Sequence, residues 1–432
     1  MEHARALTGA ARVTDVRVTP ILISDPPLLN LQGVHQPRTP RTIVEVVTAS
    51  GHVGLGETYG DAYYLSAIRT VAARLHGADA SRPTALLPLI AEVVDGNAAA
   101  GVAGPTSALR GKHDLAKLAS TAYSLFEVAF LDVWGKILGV PVHALLGGKV
   151  RNRVDYSAYL FYKYAAHPGE PPDAWGSALD PAGIVAQART FVQHYGFSAV
   201  KLKGGAFPPD EEIAAIRALR AAFPALPLRL DPNGAWSVET AARVARELDA
   251  TLEYLEDPTS GVDGMAQVRA TTGMPLATNM CVTGFDEIPT AFASDAVQVV
   301  LADHHYWGGL RRTQELAALC RTYGVGVSMH SNTHLGISFA AMTQVAATVP
   351  NLHHACDTHR PWQDEDVVTR PHTISGGAVS VSDEPGIGVQ LDHDALHRLH
   401  ARWMDGDVRE RDDVSAMQAH EPSWTAPGLP RW

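Results

Sequence analysis

Three oxygen-bearing side chains each follow a short, mostly apolar stretch of the chain, at Asp231, Glu256 and Asn279. An apolar stretch that stops at a polar residue is typical of a buried strand that ends there. Any one of these residues could instead be solvated or cap a helix, but three in series favour a shared role. Carboxylate and amide oxygens are ligands that suit Mg²⁺. The sequence therefore predicts a Mg²⁺ site with two ligand charges, beside which a dianionic substrate is tolerated.

Two lysines, Lys201 and Lys203, stand two residues apart in another such stretch. On a strand this spacing places both side chains on one face, which points into the interior of a barrel. We expect their mutual repulsion to lower the pKa of at least one of them, which makes a neutral amine available as a general base. The other ammonium is then a carboxylate-binding group. The alternative is an edge strand whose lysines are solvated.

An acid–imidazole pair is predicted from Asp303 and His330, which end the next two apolar stretches. The carboxylate could hold Nδ1 of the imidazole and leave Nε2 for proton transfer. A serine hydrolase is disfavoured because the chain has no Gly-x-Ser-x-Gly motif, and a zinc amidohydrolase because it has no His-x-His pair. A second polar group invites a zinc assignment, namely His353, His354, Asp357 and His359. Because adjacent strand residues point to opposite faces, we interpret that group as surface or substrate contacts.

The elements that must position these residues follow from their spacing. Polar residues end successive apolar stretches at intervals of 23 to 28 residues, at Lys203, Asp231, Glu256, Asn279, Asp303 and His330. One strand, one helix and two short loops fill such an interval. The repeat predicts an α/β fold of the (β/α)8 TIM-barrel type, whose active site lies at the C-terminal ends of its strands. A doubly wound sheet is the alternative, but it would gather its polar residues at one switch point.

A further domain is expected because 432 residues exceed the ~250 of a plain barrel. Residues 1–150 are predicted to form an α+β capping domain, with a strand at 13–23, a hairpin of strands 42–47 and 52–55 about residues 49–51, and helices near 62–75, 83–94 and 114–137. A polar loop between the strands carries Asn30 and His35 and is a candidate lid. Residues 151–390 are assigned to the barrel, with a first strand at 155–161 and a late strand near 352–358. The tail 391–432 is expected to pack back on the capping domain.

Composition narrows the classes of partner. The net charge of −11, without a Lys/Arg run, disfavours nucleic acid and anionic membranes. No leader-like apolar segment and no run of eighteen apolar residues occurs, and three scattered cysteines indicate neither a disulfide framework nor a zinc knuckle. We therefore expect a cytoplasmic protein that acts on a small molecule, and we expect it to form a homo-oligomer.

The motifs around these residues are similar to those of the enolase superfamily, within it the glucarate dehydratase subgroup of the mandelate racemase-like branch. The matching segments are Val200–Gly205, Leu230–Trp236, Glu256–Pro258, Ala277–Met280, Leu301–Asp303 and His330–His334. The Lys-x-Lys pair is shared widely in that branch, whereas Asn279 with His330-Ser331-Asn332 is the more specific signal. Two departures stand out. Thr58-Tyr59-Gly60 replaces a Pro-Gly-Gly pattern, and His304 replaces a usual proline.

The resemblance implies a Mg²⁺-dependent hydro-lyase that converts D-glucarate, L-idarate or both to 5-dehydro-4-deoxy-D-glucarate. One substrate carboxylate would lie on Mg²⁺ and Lys201, while Lys203 and His330 address opposite faces of the α-carbon. Substrate contacts are implied for Asn30, His35, Thr106, Tyr159, Lys201, Asn279, Ser331, Asn332, His359 and Arg411. The alternatives are a dehydratase or epimerase of another acid sugar, a low-activity relative, and a catalytically silent acid-sugar-binding protein or partner subunit.

Overall fold

The computed structural model describes residue 7, residues 9–99 and residues 115–432. Its N-terminal part is an antiparallel three-stranded sheet in the order β1-β4-β5, with β1 at Val13–Ser24, β4 at Arg38–Thr48 and β5 at Val53–Tyr59. The predicted hairpin about residues 49–51 is confirmed by the β4–β5 pairing. The predicted lid loop contains a small hairpin of β2, Leu29–Asn30, and β3, Gly33–Val34.

Helices follow this sheet in the chain, and the first and third of those named next contact its strands. They are α1 at Ala62–Ala72, α2 at Leu87–Ala99, α3 at Leu115–Leu138 and α4 at Val142–Leu145. The predicted start of the second helix is instead a 3₁₀ turn at Pro83–Leu86, because Pro88 cannot donate the backbone hydrogen bond that a continuous α-helix from residue 83 would need there. The long helix α3 crosses β5 closely, and Gly54 and Gly56 permit this because they have no Cβ. A Cβ at either glycine would collide with a backbone carbonyl oxygen of α3.

Seven parallel strands form the second sheet, in an order that follows the chain. They are β7 at Ala158–Phe161, β8 at Val200–Lys203, β9 at Leu228–Asp231, β10 at Tyr254–Glu256, β11 at Leu276–Thr278, β12 at Val299–Ala302 and β13 at Gly326–Met329. The strands are nearly all buried on both faces, as expected for a parallel sheet covered by helices.

The helices that follow these strands confirm the repeating βα unit. They are α5 at Pro181–Tyr195, α6 at Pro209–Ala222, α7 at Val238–Glu247, α8 at Gly261–Thr272, α9 at Ile288–Ala293, α10 at His304–Trp307, α11 at Leu310–Tyr323 and α12 at Gly336–Thr348. Local sequence explains their limits. Helix α5, for example, begins with an Asp180 side-chain cap followed by Pro181, and it ends at Gly196 in the left-handed region.

An irregular segment, residues 352–357, closes the barrel at the eighth position. It forms parallel bridges from Leu352 to Val327 and from Cys356 to Tyr156. The predicted strand at 352–358 therefore occupies the expected place without becoming a regular strand. The predicted first strand at 155–161 is also interrupted, because β6, Arg153–Asp155, turns away to pair antiparallel with β14, Ala378–Ser380.

The C-terminal tail returns to the N-terminal part as predicted. Helix α13, His393–Asp405, lies against β1, where Nδ1 of His400 is 2.7 Å from the carbonyl oxygen of Pro20. Helix α14, Asp413–His420, packs on β3. The fold is thus a (β/α)8-type barrel with an α+β capping domain, while boundaries at residues 150 and 390 stay predictions. Within the described ranges no helix is both long enough and apolar enough to cross a membrane.

Candidate active site

A cavity of about 350 Å³ lies between the C-terminal ends of the barrel strands and the capping elements β2, β3 and α14. Most of the predicted site residues line it, namely Asn30, His35, Tyr159, Lys203, Asn279, His330, Ser331, Asn332, His359 and Arg411. Lys201, Asp231, Glu256 and Asp303 are buried around the same strand ends. Thr106 lies outside the described residues.

The three predicted ligand groups lie together. Nδ2 of Asn279 donates to Oε1 of Glu256 at 3.0 Å, and Asp231 lies on the neighbouring strand. Both lysines reach into this group of oxygens. Nζ of Lys201 is 2.6 Å from Oε2 of Glu256, and Nζ of Lys203 is 2.6 Å from Oδ2 of Asp231. The amide of Asn279 would present its oxygen to a cation after a half-turn, since amide orientation follows from the hydrogen-bonding partner.

When ionised, the carboxylates in and around this group carry more negative charge than the two lysines neutralise. Burial raises the pKa of Glu256 well above its usual range, and repulsion from Asp231, Asp357 and Asp257 adds to the rise. Burial and Asp231 likewise raise the pKa of Asp257 to about 6. Oε2 of Glu256 is buried and makes an ion contact but no hydrogen bond. Crowded, buried oxygens that lack enough positive charge suit a hard divalent ion, so the residues present fit Mg²⁺.

Lys201 is the lysine of the pair that its surroundings hold in the charged form. Burial by itself would lower its pKa, but the carboxylates of Asp357 and Glu256 raise it well above the usual value. Nζ of Lys201 is 2.7 Å from Oδ2 of Asp357. Repulsion between the two lysines therefore does not make Lys201 a neutral amine. Its side chain is a buried positive charge beside the predicted ligand group.

Two residues in contact with the lysines were missed by the sequence analysis. Asp357 was interpreted as a surface or substrate contact, but it is fully buried against Lys201. The signal that could have found it is the position of Asp357 at the end of the late strand predicted near 352–358. Asn233 accepts a hydrogen bond of 2.6 Å from Lys203, and its φ of 59° belongs to the turn that Pro232-Asn233-Gly234 indicates.

The rest of the second polar group divides between two places. His359 lines the cavity, whereas His353 is exposed and Nδ1 of His354 contacts Oε1 of Glu253 at 2.9 Å. His353 and His354 line a different cavity, of about 460 Å³, with Arg151. The interpretation as surface or substrate contacts therefore agrees with the places of the histidines and is wrong for Asp357.

The predicted acid–imidazole pair is formed. Nδ1 of His330 lies 3.1 Å from Oδ2 of Asp303, which leaves Nε2 for a molecule in the cavity. Burial by itself would raise the pKa of Asp303, but contacts with His305, His330 and His334 hold it well below its usual range. Asp303 therefore stays ionised and can stabilise a protonated His330.

Among the described residues, Asp303, His305 and His334 also bring potential metal-binding atoms within 4.8 Å of one another. Both ring nitrogens of His305 already contact oxygens, since Nδ1 is 2.8 Å from Oδ1 of Asp303 and Nε2 is 3.0 Å from the carbonyl oxygen of Glu57. Asp303 and His305 thus form a hydrogen-bonded support for His330. The oxygen-rich group at Asp231 is the better match to Mg²⁺.

The opposite end of the cavity is built by the lid hairpin and the tail. Nε and Nη2 of Arg411 bind the two carboxylate oxygens of Asp413 at 2.9 and 2.7 Å. Asn30 donates to the same carboxylate at 2.7 Å, and Nδ1 of His35 is 3.2 Å from Oδ1 of Asp25. A cationic side chain is thus held at the end of the cavity that the capping domain and tail provide.

Three further predicted contacts face the cavity from the barrel. The hydroxyl of Tyr159 is 3.4 Å from Oδ2 of Asp231, and Nζ of Lys201 lies 4.5 Å from the centre of its ring. Tyr159 therefore touches the ligand group itself. Oγ of Ser331 is buried without a hydrogen-bonding partner, and Asn332 accepts from Thr333 at 2.9 Å. An unpartnered hydroxyl in a cavity wall is suited to bind an oxygen of a ligand.

Several known proteins are similar to this chain in sequence and in fold. A family described as "Enolase C-terminal domain-like" matches residues 183–395. A Streptomyces coelicolor protein named "Probable glucarate dehydratase" is 61% identical, over 99% of this chain and 100% of that protein. A Gibberella zeae enolase structure complexed with magnesium, formate and sulfate has a TM-score of 0.95 and 45% identity, and the alignment covers 100% of both chains. A Mycobacterium smegmatis enolase complexed with tartrate has a TM-score of 0.92 and 52% identity over 98% of both chains.

Proposed function

The chain belongs to the enolase superfamily, and on that premise we propose that it is a Mg²⁺-dependent hydro-lyase that dehydrates acid sugars. The observation that carries the proposal is the meeting of two candidate bases, Lys203 and His330, with one oxygen-rich ligand group at a single cavity. The name of the Streptomyces coelicolor relative points to D-glucarate as the first substrate to test, and L-idarate, its epimer at one α-carbon, is the second. The product would be 5-dehydro-4-deoxy-D-glucarate.

Asp231, Glu256 and Asn279 are the residues that would hold Mg²⁺. When bound there, the ion supplies positive charge that makes the α-proton of a neighbouring carboxylate more acidic. Lys201 adds a second positive charge from the protein, and its contacts with Asp357 and Glu256 keep it protonated. Its role is to bind the substrate carboxylate and to stabilise the enediolate that forms when the α-proton leaves.

Lys203 and His330 are proposed as the two bases. In the closed ring of eight positions β8 is the second and β13 the seventh, so the two side chains reach the cavity from nearly opposite sides. Each can remove a proton from one face of the α-carbon. His330, protonated and supported by Asp303, then donates a proton to the β-hydroxyl, which leaves as water while the carbon–oxygen bond breaks. The resulting enol tautomerises to a 2-keto acid.

The opposite end of the cavity supports a preference for dicarboxylates. Arg411 places a guanidinium there, fixed by Asp413, and Asn30 shares that carboxylate. A second substrate carboxylate could bind the guanidinium, while Asn30, His35, Ser331, Asn332 and His359 contact hydroxyls. Thr106 remains a predicted contact. We also expect the protein to act in the cytoplasm and to form a homo-oligomer. Light scattering of the purified protein tests its oligomeric state.

A panel of hexarates and aldonates incubated with protein and Mg²⁺ tests the proposal, with 2-keto acids detected by a carbonyl reagent. Asp231→Ala, which removes one of the proposed Mg²⁺ ligands, serves as the inactive control. Formation of a keto acid from a hexarate is the expected result. The second candidate is an acid-sugar epimerase, which needs the same two bases and no leaving group. Epimer exchange without keto acid, followed by proton NMR, would favour it. No α-proton exchange on any acid sugar would contradict both.

A further inference from the structure

Tyr59 is a buried tyrosine to which none of the roles above is assigned. It is the last residue of β5, a strand of the N-terminal sheet and not of the barrel. Its side chain is buried, with 2% of the residue exposed. Its hydroxyl oxygen is 3.3 Å from Oδ2 of Asp303, a residue 244 positions further along the chain.

The hydroxyl of Tyr59 is one of several groups that bind the Asp303 carboxylate. Oδ1 accepts from the backbone N–H of His305 at 2.9 Å and lies 2.8 Å from Nδ1 of its ring. Oδ2 lies 3.1 Å from Nδ1 of His330 and accepts from the hydroxyl of Tyr59, while Nε2 of His334 is further away, at 3.7 Å. The carboxylate is therefore held at one oxygen by its own helix. The other oxygen, which orients His330, is restrained by the capping domain.

The proton needed for this contact stays on Tyr59. Burial and the neighbouring charge of Asp303 raise the pKa of Tyr59 well above its usual value, although the Arg41 guanidinium acts in the opposite direction. The hydroxyl therefore donates and the carboxylate accepts. A hydrogen bond to an ionised group is stronger than one between neutral groups.

The ring of Tyr59 is itself fixed on two sides. It stacks on Tyr306 with ring centres 5.5 Å apart and an angle of 16°, and the guanidinium of Arg41 lies 5.1 Å from its centre. Arg41 is paired with Glu57. Glu57 in turn accepts from the backbone N–H groups of Leu335 and Ser338 at the start of α12, at 2.9 and 2.8 Å. Strand β5 thus holds both Asp303 and the end of the loop that carries His330.

We propose that Tyr59 is a positioning residue through which the capping domain fixes Asp303 and thereby the orientation of the His330 imidazole. The inference rests on the proposed function, because it assigns the hydroxyl to the base that His330 provides. The role proposed for Tyr59 concerns only one of the two candidate bases, His330. Lys203 has its own partners, Asp231 and Asn233, and does not depend on Tyr59.

The test compares Tyr59→Phe, which removes only the hydroxyl, with Tyr156→Phe. Tyr156 is an equally buried tyrosine whose hydroxyl is 2.7 Å from Oγ1 of Thr343, in a part of the barrel that we assign no chemistry. For Tyr59→Phe we expect kcat for dehydration to fall about ten-fold, the effect of one lost hydrogen bond to a charged group, with KM little changed. Solvent-deuterium exchange should slow for the epimer whose α-proton faces His330 and stay unchanged for the epimer that faces Lys203.

A merely structural role predicts another pattern. Both variants would then lower the free energy of unfolding, and exchange of the two epimers would change by the same factor. Tyr59→Phe with wild-type kcat and a wild-type ratio of the two exchange rates would overturn the proposal. So would an equal loss for both epimers. The Tyr156→Phe control is expected to keep the wild-type ratio.

A spectroscopic measurement separates failure of this inference from failure of the proposed function. With ¹⁵N-labelled histidine, the ring signals of His330 can be assigned by their absence in His330→Gln. Removing the hydroxyl of Tyr59 should shift these signals, and Tyr156→Phe should not, whether or not any acid sugar is dehydrated. Unchanged His330 signals in Tyr59→Phe would overturn the inference. An inactive wild type with shifted signals would overturn only the proposed function.

Discussion

Glu127 provides a stability prediction with a clear sign. This carboxylate lies on α3 of the capping domain and is fully buried. It accepts hydrogen bonds from the backbone N–H groups of Leu310 at 2.5 Å and Arg311 at 3.4 Å, at the start of the barrel helix α11. Burial raises its pKa to about 7, although these N–H groups favour the ionised form. Glu127 therefore joins the two parts of the fold at the cost of a buried charge above neutral pH.

The perturbation is Glu127→Gln, which keeps the shape of the protonated acid and one acceptor oxygen. The folded-state pKa is raised, so the folded protein binds this proton more tightly than the unfolded chain. Stability from this group is complete below the unfolded value of 4.5 and is lost as the pH rises towards about 7. A difference of 2.5 between the two pKa values corresponds to about 3 kcal/mol. The glutamine variant does not lose this stability. Its free energy of unfolding relative to that of the wild type should therefore rise from about 1 kcal/mol at pH 5 to about 3 kcal/mol at pH 8.

Denaturant unfolding at pH 5, 6 and 8, followed by tryptophan fluorescence, measures this difference. The matched control is Glu211→Gln, which changes an exposed carboxylate in the first turn of α6. Its curve of unfolding free energy against pH is expected to run close to that of the wild type. Parallel curves for wild type and Glu127→Gln would refute the reasoning. They would mean that the N–H groups of α11 fully offset the burial of the charge.

Three further predictions concern the proposed reaction. Chelation should abolish turnover and Mg²⁺ should restore it, while Asp231→Ala and Glu256→Ala should stay inactive with a folded circular-dichroism spectrum; full turnover in excess chelator would contradict the metal assignment. Glucarate should react much faster than gluconate because Arg411 binds a second carboxylate, and equal kcat/KM values for the two acids would exclude that role. His330→Gln should lose about 10²–10⁴-fold in dehydration of both epimers, yet it should retain deuterium exchange for the epimer that faces Lys203. In Lys203→Met the retained exchange should belong to the other epimer, and equal losses in proton NMR would contradict the assignment of two bases on opposite faces.

The sequence by itself determined the barrel and the places of its polar strand ends. Each apolar stretch and the helix after it are determined by neighbouring residues in the chain. The repeat of strand and helix can therefore be recognised from the sequence without knowing any tertiary contact. In a parallel barrel the C-terminal ends of all strands meet at one mouth. Asp231, Glu256 and Asn279 are therefore brought together by topology alone, and the pairing of Asp303 with His330 follows from adjacent strands.

The tertiary structure decided the contacts between residues that are far apart in the chain, which the repeat of strands and helices does not predict. The segment that ends at Asp357 is irregular, so only the closed barrel reveals that this carboxylate faces Lys201 and raises its pKa. The contact of Tyr59 with Asp303 joins a capping strand to the barrel across 244 residues. Both depend on how separately formed elements pack, and the cost of burying a charge depends on every group that surrounds it after packing. Local sequence fixes which residues end a strand, whereas packing fixes which charges and hydroxyls those residues meet.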